Sequence, residues 1–134
     1  MSAYVGSVGK FLAVKEYPSR DVSLTIPAQA GYLVLARLAL SAVCRLTPLE
    51  AVEVADLKLA VTEAANEFVT EAEDADATID FDFRLANERL VLELSGARAS
   101  GTQTELELRR AIIQATVDES DFAPGRTLLV KHLQ

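Results

Sequence analysis

Residues 78–94 read TIDFDFRLANERLVLEL. Ile79, Phe81, Phe83 and Leu85 alternate with Thr78, Asp80, Asp82 and Arg84. After Ala86 to Glu88 the pattern resumes, with Leu90, Leu92 and Leu94 set against Arg89, Val91 and Glu93. Successive side chains on a strand point to opposite faces, so a period of two in adjoining runs is that of a hairpin with one buried and one polar face. Such a sheet must be covered on its apolar side, and the cover is to be sought in the flanking sequence.

On the N-terminal side, Thr47-Pro48-Leu49-Glu50 places a hydroxyl before a proline and a carboxylate three residues after it. This is the capping-box pattern and predicts a helix from Pro48 to about Glu73, with Asp74 to Ala77 as its exit. At 100° per residue Leu57, Val61, Ala64 and Phe68 fall in one arc and form the core face, with Asp56, Glu63 and Glu67 in a stripe beside it. Further upstream, Pro27 to Cys44 is an eighteen-residue stretch with the single charge Arg37. That length is the lower limit for crossing a bilayer, and Gln29, Arg37 and Ser41 would need partners there. The expectation is therefore no membrane association and a soluble helix, about Ala28 to Arg45, buried on most sides. Asp21 to Ile26 alternates as a strand, and Pro27 ends it. Residues 1–20 read as an N-terminal extension or extra strand.

On the C-terminal side, Ser95 to Gly101 (SGARASG) is small and flexible by type and reads as a loop. A third helix is predicted from Gln103 to Val117, capped by Thr102 with Glu105 or by Thr104 with Glu107. Asp118 to Gly125 reads as a connection and Arg126 to Leu133 as a last strand. The economical fold is an α/β (α+β) two-layer sandwich: a largely antiparallel, mixed sheet with about three helices on one face, residues 21–134 forming a single domain.

Composition narrows the function. The chain has 134 residues, 13 Lys+Arg against 20 Asp+Glu, a net charge of −7, and an apolar half. That is enough for one core without disulfides, and the acidity argues against nucleic acid, whose binding rests on clustered Lys and Arg. Cys44, the one cysteine, lies in an apolar stretch and reads as a buried structural thiol. His132 is the one histidine, which excludes multi-histidine metal sites and histidine triads. No metal site is expected. The N-terminus lacks the charged start, apolar run and cleavage site of a secretion signal, so a cytoplasmic location is expected. Gly96 to Gly101 has the glycine spacing of a P-loop, but Thr102-Gln103 follows where Lys and a hydroxyl residue are required; Gly9-Lys10 lacks the following Ser or Thr.

The segment Asp56 to Val69 reads DLKLAVTEAANEFV. With Leu24 to Leu40 it resembles the anti-sigma regulatory factors, or serine-protein kinases, of bacterial partner-switching systems. These belong to the GHKL (histidine kinase-like, HSP90-like) ATPase superfamily, where an Asp-Leu-Lys-x-Ala-Val-x-Glu-Ala run leads into an asparagine on a long helix. The resemblance runs from about Asp21 to Leu133, and Asp56 to Glu63 is its specific part. It implies the histidine-kinase-like ATPase fold and, as partners, a sigma factor or a STAS-type anti-sigma antagonist; homodimers are common in the family. It also implies an ATP site in which a helical Glu and an Asn four residues on serve water and Mg2+. An Asp followed by glycines reads adenine, and a glycine-rich lid closes over the phosphates.

Against that pattern, Glu63 matches the glutamate, but the residue four positions on is Glu67 and the nearest asparagine is Asn66, about 100° away around the helix. The adenine-reading Asp corresponds to Ser95, followed by Gly96. A second carboxylate about 5 Å from a triphosphate opposes it by about 3 kcal/mol at an effective dielectric near 20 unless Mg2+ intervenes. The reading is a degenerate ATP site, no cofactor, and a protein that works by binding other proteins. The alternatives are an active serine/threonine kinase using ATP with Mg2+, with Glu63 as general base and Glu67 as metal ligand, and a structural dimerisation module. Taken without the resemblance, Glu63 and Glu67 are two solvated carboxylates at i and i+4 on an exposed face. Residues 50–90 hold twelve acids and three bases, a net of −9, so the rest of the chain carries +2. This surplus disfavours ATP and favours a basic protein surface as partner.

Overall fold

The computed structural model describes residues 20–70, 76–97 and 101–133. Five strands, β1 (Arg20–Pro27), β2 (Thr78–Ala86), β3 (Arg89–Gly96), β4 (Glu119–Ala123) and β5 (Arg126–His132), alternate with α1 (Leu33–Cys44), α2 (Ala51–Ala65) and α3 (Gln103–Thr116) in the order β1-α1-α2-β2-β3-α3-β4-β5. Among the described residues the sheet order is β1-β2-β3-β5-β4, and every pairing is antiparallel. Phe81 pairs with Leu24 and Leu94, and Leu92 with Phe83 and Leu129, which puts the apolar residues of four strands on one face. α1 packs over β1 and β2, α2 over β3 and α3 over β4, with α2 between its two neighbours.

Leu57, Val61, Ala64 and Phe68 are buried, as the 3.6-residue period requires, together with Leu40, Phe81, Phe83, Leu92 and Ile113. The opposite sheet face is a polar lattice: Thr25 Oγ1 donates to Asp80 at 2.6 Å, Arg84 pairs with Asp82 at 2.8 Å, and Arg126 Nε donates to Glu93 at 2.7 Å. The hairpin turns on Asn87 and Glu88, both at positive φ (53° and 61°), the signature of the two-residue turn whose twist suits antiparallel strands.

Several elements differ from the sequence reading. A 3-10 turn, Ala30–Tyr32, precedes α1, which starts at Leu33 rather than Ala28. α1 is buried along one face, not on most sides: Val34, Leu35 and Leu38 are exposed. The N-cap of α2 is Glu50, not Thr47. The Thr47 hydroxyl is drawn back to the end of α1, donating to Cys44 O at 2.6 Å, and Glu53 instead accepts the Glu50 N–H at 3.0 Å. α2 stops at Ala65 rather than Glu73. There the chain tightens through Phe68 N–H to Ala65 O (2.9 Å) and then pairs with the end of β1 through Thr70 N–H to Ala28 O (2.9 Å). β3 continues through Ser95 and Gly96, which the sequence assigned to a loop. The expected connection from Asp118 contains an edge strand, β4, and the turn Pro124-Gly125, with Gly125 at φ 75°. The Thr102/Glu105 capping box of α3 matches the prediction, Glu105 N–H reaching Thr102 Oγ1 at 3.0 Å. The N-terminal extension and the middle of the Ser95 to Gly101 loop lie outside the described residues.

Candidate functional site

The site implied by the resemblance lies where the end of α2, the end of β3 and α3 meet. Glu63 and Glu67 both face α3, and each meets an arginine there. Arg109 Nε lies 3.9 Å from Glu63 Oε1, a long pair between half-buried side chains. Arg110 grips Glu67 through two nitrogens, Nε and Nη2, each 3.4 Å from one carboxylate oxygen. Glu67 is 7% exposed, so the picture of two solvated carboxylates is corrected: one of them is interior and paired. A carboxylate persists in such a place because its charge is met there; unpaired, it would lose several kcal/mol of hydration. The Arg110 guanidinium also stacks over Phe122 of β4, 4.6 Å from the ring centre. One arginine thus joins α2, α3 and the sheet edge.

The other three positions fall elsewhere. Asn66 is the C-cap of α2, its backbone N–H directed back to Thr62 O and Ala64 O. Ser95 has the parity of Val91 and Glu93, pairs with Asp80 and Arg126, and lines a recess of about 310 Å³ on the polar sheet face with Thr25, Asp80, Asp82 and Glu93. It is therefore separated from Glu63 and Glu67 by the sheet itself. Gly96 faces the helices and is half-buried, with Phe68 close by: a Cβ there would stand 3.4 Å from Phe68 Cδ1 and 3.1 Å from Thr78 O. The five positions do not form the single pocket that the resemblance implies. Two are engaged by arginines, one caps α2, one lies on the far face of the sheet, and one is half-buried against an aromatic ring.

Arg109 and Arg110 are the residues that sequence reasoning missed. They lie on either side of Ile113, the buried centre of α3, and so straddle the seam with α2. The available signal was two adjacent arginines in a helix opposite two acids at i and i+4, but nothing local states which helices face each other.

Other titratable groups are satisfied by structural partners. Lys131 lies 3.7 Å from both Glu53 and Asp118, and His132 Nε2 lies 2.7 Å from Glu119 at the surface. Cys44 is buried, and desolvation pushes its thiol above the ordinary range, against a smaller lowering by Lys58. The hydrogen bond from Arg126 holds the Glu93 carboxyl below its usual range, partly opposed by desolvation and helped by the charges of Arg126 and Arg84. Among the described residues, no three His, Cys, Asp or Glu side chains gather as a metal would require, and no helix is long and apolar enough to cross a membrane.

Comparison with known proteins gives a likeness of fold. No family model matches the chain, and no curated protein matches it. Among solved structures it is similar to the RsbU and RsbW domains of Rv1364c from Mycobacterium tuberculosis, with a TM-score of 0.62 and 16% sequence identity over 85% of this chain. The chain spans about a third (32%) of the length of that solved protein. At this identity the likeness concerns the fold alone.

Proposed function

We propose that this protein is a bacterial regulator of the anti-sigma, partner-switching type that acts in the cytoplasm by binding other proteins and has lost the use of its nucleotide site. Its partner is a sigma factor or a STAS-type antagonist, and it works as a homodimer. The fold likeness to a structure containing an RsbW domain supports the class, as does the Asp56 to Glu63 run. The observation that carries the loss of nucleotide binding is the pairing of the interior Glu67 with Arg110, with Phe68 packed close to Gly96. To admit a triphosphate, α3 must release Arg110 and leave an interior carboxylate beside the phosphates, where like charges repel by several kcal/mol.

Calorimetry with Mg-ATP on the full chain tests this directly. No heat of binding is expected up to millimolar nucleotide, whereas a saturable isotherm refutes the loss of the site and restores the kinase reading. Direct binding to purified sigma factors and STAS proteins of the host tests the regulatory part separately; if none binds, that part is wrong whatever the calorimetry shows.

A further inference from the structure

The two edges of the sheet are guarded differently. β4, at one edge, is five residues long and carries Glu119 and Asp121, and a short, charged strand resists pairing with further chain. β1, at the other, is eight residues long, and between Arg20 and Pro27 its one charge is Asp21. Among the described residues β1 pairs with β2 alone, so alternate N–H and C=O groups on its outer side have no strand to meet. Its helix-facing side is also open at the rim: Val22, opposite the fully buried Phe83, is 39% exposed, and Leu24 is half-buried. Backbone groups and apolar side chains are thus left uncovered along the same edge.

We propose that residues 10–16 of the same chain complete this edge as a further strand, antiparallel to β1 and with Val14 opposite Val22. The chain enters β1 at Arg20, and immediately upstream Tyr17-Pro18-Ser19 has the composition of a turn. Pro18 has no N–H to give a ladder, which confines it to the connection. A strand joined by so short a connection lies beside β1, and β2 already holds the other side. The short tether also gives it an effective concentration that a separate chain does not reach. Facing residues fix the register. With a three-residue connection Glu16 stands opposite Arg20, Lys15 opposite Asp21, Val14 opposite Val22 and Leu12 opposite Leu24. Two of these pairs are of opposite charge, and two are apolar on the side where Val22 lacks cover. Shortening the connection by one residue sets Glu16 against Asp21 and turns Val14 and Leu12 to the polar face. Lengthening it by one sets Lys15 against Arg20 and Val14 against Asp21. One register of the three satisfies both charge and polarity. The segment is then a strap: while it is in place, β1 is closed to strand addition by another protein.

Amide hydrogen exchange of the full chain, read residue by residue, tests the strap. With β2 as the one neighbour, alternate amides of β1 are protected and those between them exchange freely. With the strap in place, consecutive amides from Asp21 to Thr25 are expected to be slowed by at least about 100-fold. Exchange of the alternate set at the rates of an unstructured chain overturns the proposal. Val14→Pro removes a ladder donor and should release that set alone, while the amides directed to β2 report that the fold is intact. Protection of the set that survives Val14→Pro overturns residues 10–16 as its source. Cysteine pairs identify the occupant and the register. Successive facing pairs alternate in spacing, so either Ala13→Cys with Ser23→Cys or Val14→Cys with Val22→Cys should close a disulfide within one 14.5 kDa chain on air oxidation, Cys44 being buried. Ala13→Cys with Asp21→Cys, two residues out of register, should close at least about 10-fold more slowly. A disulfide between two copies, no disulfide in either facing pair, or an equal rate for the displaced pair overturns the proposal. None of these outcomes depends on nucleotide or on a regulatory partner.

Discussion

Arg110→Met removes one charge from the Glu67–Arg110 pair while keeping most of the volume of the side chain. At 3.4 Å and an effective dielectric near 20 the direct attraction is about 5 kcal/mol, most of which offsets the lost hydration of the two ions. The informative quantity is the truncation, which leaves Glu67, 5% exposed at its side chain, without a cation. Removing one member of a buried pair typically loses 3–5 kcal/mol; the 30% exposure of Arg110 and the long contacts place this case near the lower end. The stacking on Phe122 adds roughly 0.5 kcal/mol. We expect a loss of about 3 kcal/mol in urea denaturation, or a melting point lower by about 12 °C for a chain of this size. Glu67→Gln retains a polar group that Arg110 can still approach and should lose about 1 kcal/mol. The double variant should lose less than the sum, with a coupling of about 1.5 kcal/mol. A loss below about 0.5 kcal/mol for Arg110→Met, or zero coupling in the cycle, refutes the claim that Arg110 neutralises an interior carboxylate.

Gly96→Val should destabilise by about 2 kcal/mol, because the new side chain meets Phe68 and the Thr78 carbonyl; a thermal melt unchanged from wild type contradicts the close approach of these two groups. Glu93 has a depressed folded-state pKa, so its contribution to stability is present at neutral pH and fades as pH falls through and below the ordinary value of 4.5. Denaturation of wild type and Glu93→Gln should therefore differ at pH 7 and converge toward pH 3, roughly the lower end of the carboxylate range; curves that remain parallel exclude this linkage. Cys44, buried and with a raised pKa, should react with a thiol reagent at pH 8 at least about 100-fold more slowly in native protein than in urea; equal rates contradict its burial.

Much of the fold is legible in local spacing, and the departures share a physical cause. The hairpin, the core stripe of α2 and the cap of α3 each depend on residues a few positions apart. β4, with the sequence Glu-Ser-Asp-Phe-Ala, lacks the β-branched residues and clean alternation of a strand, and it forms because β5 offers it a paired edge. Pro124-Gly125 was the available sign of a turn there. Thr47 has the chemistry of an N-cap, but the carbonyl of Cys44 is close enough to claim its hydroxyl. The outward direction of Ser95 follows from the parity of Leu92 and Leu94 once β3 is carried to Gly96, a step that the small residues beyond Leu94 concealed.

By itself, the sequence determined the hairpin strands, the presence of three helices and the apolar stripe of α2, and that a carboxylate stands where the resembling family has an amide. These are properties of spacing along one chain, set by the 3.6- and two-residue periods. The tertiary structure alone decided that Glu67 is interior, that Arg110 pairs with it, and that Phe68 packs close to Gly96. Each of these depends on the docking of elements distant in the chain, 43 residues in the case of Glu67 and Arg110, and no local period encodes that arrangement.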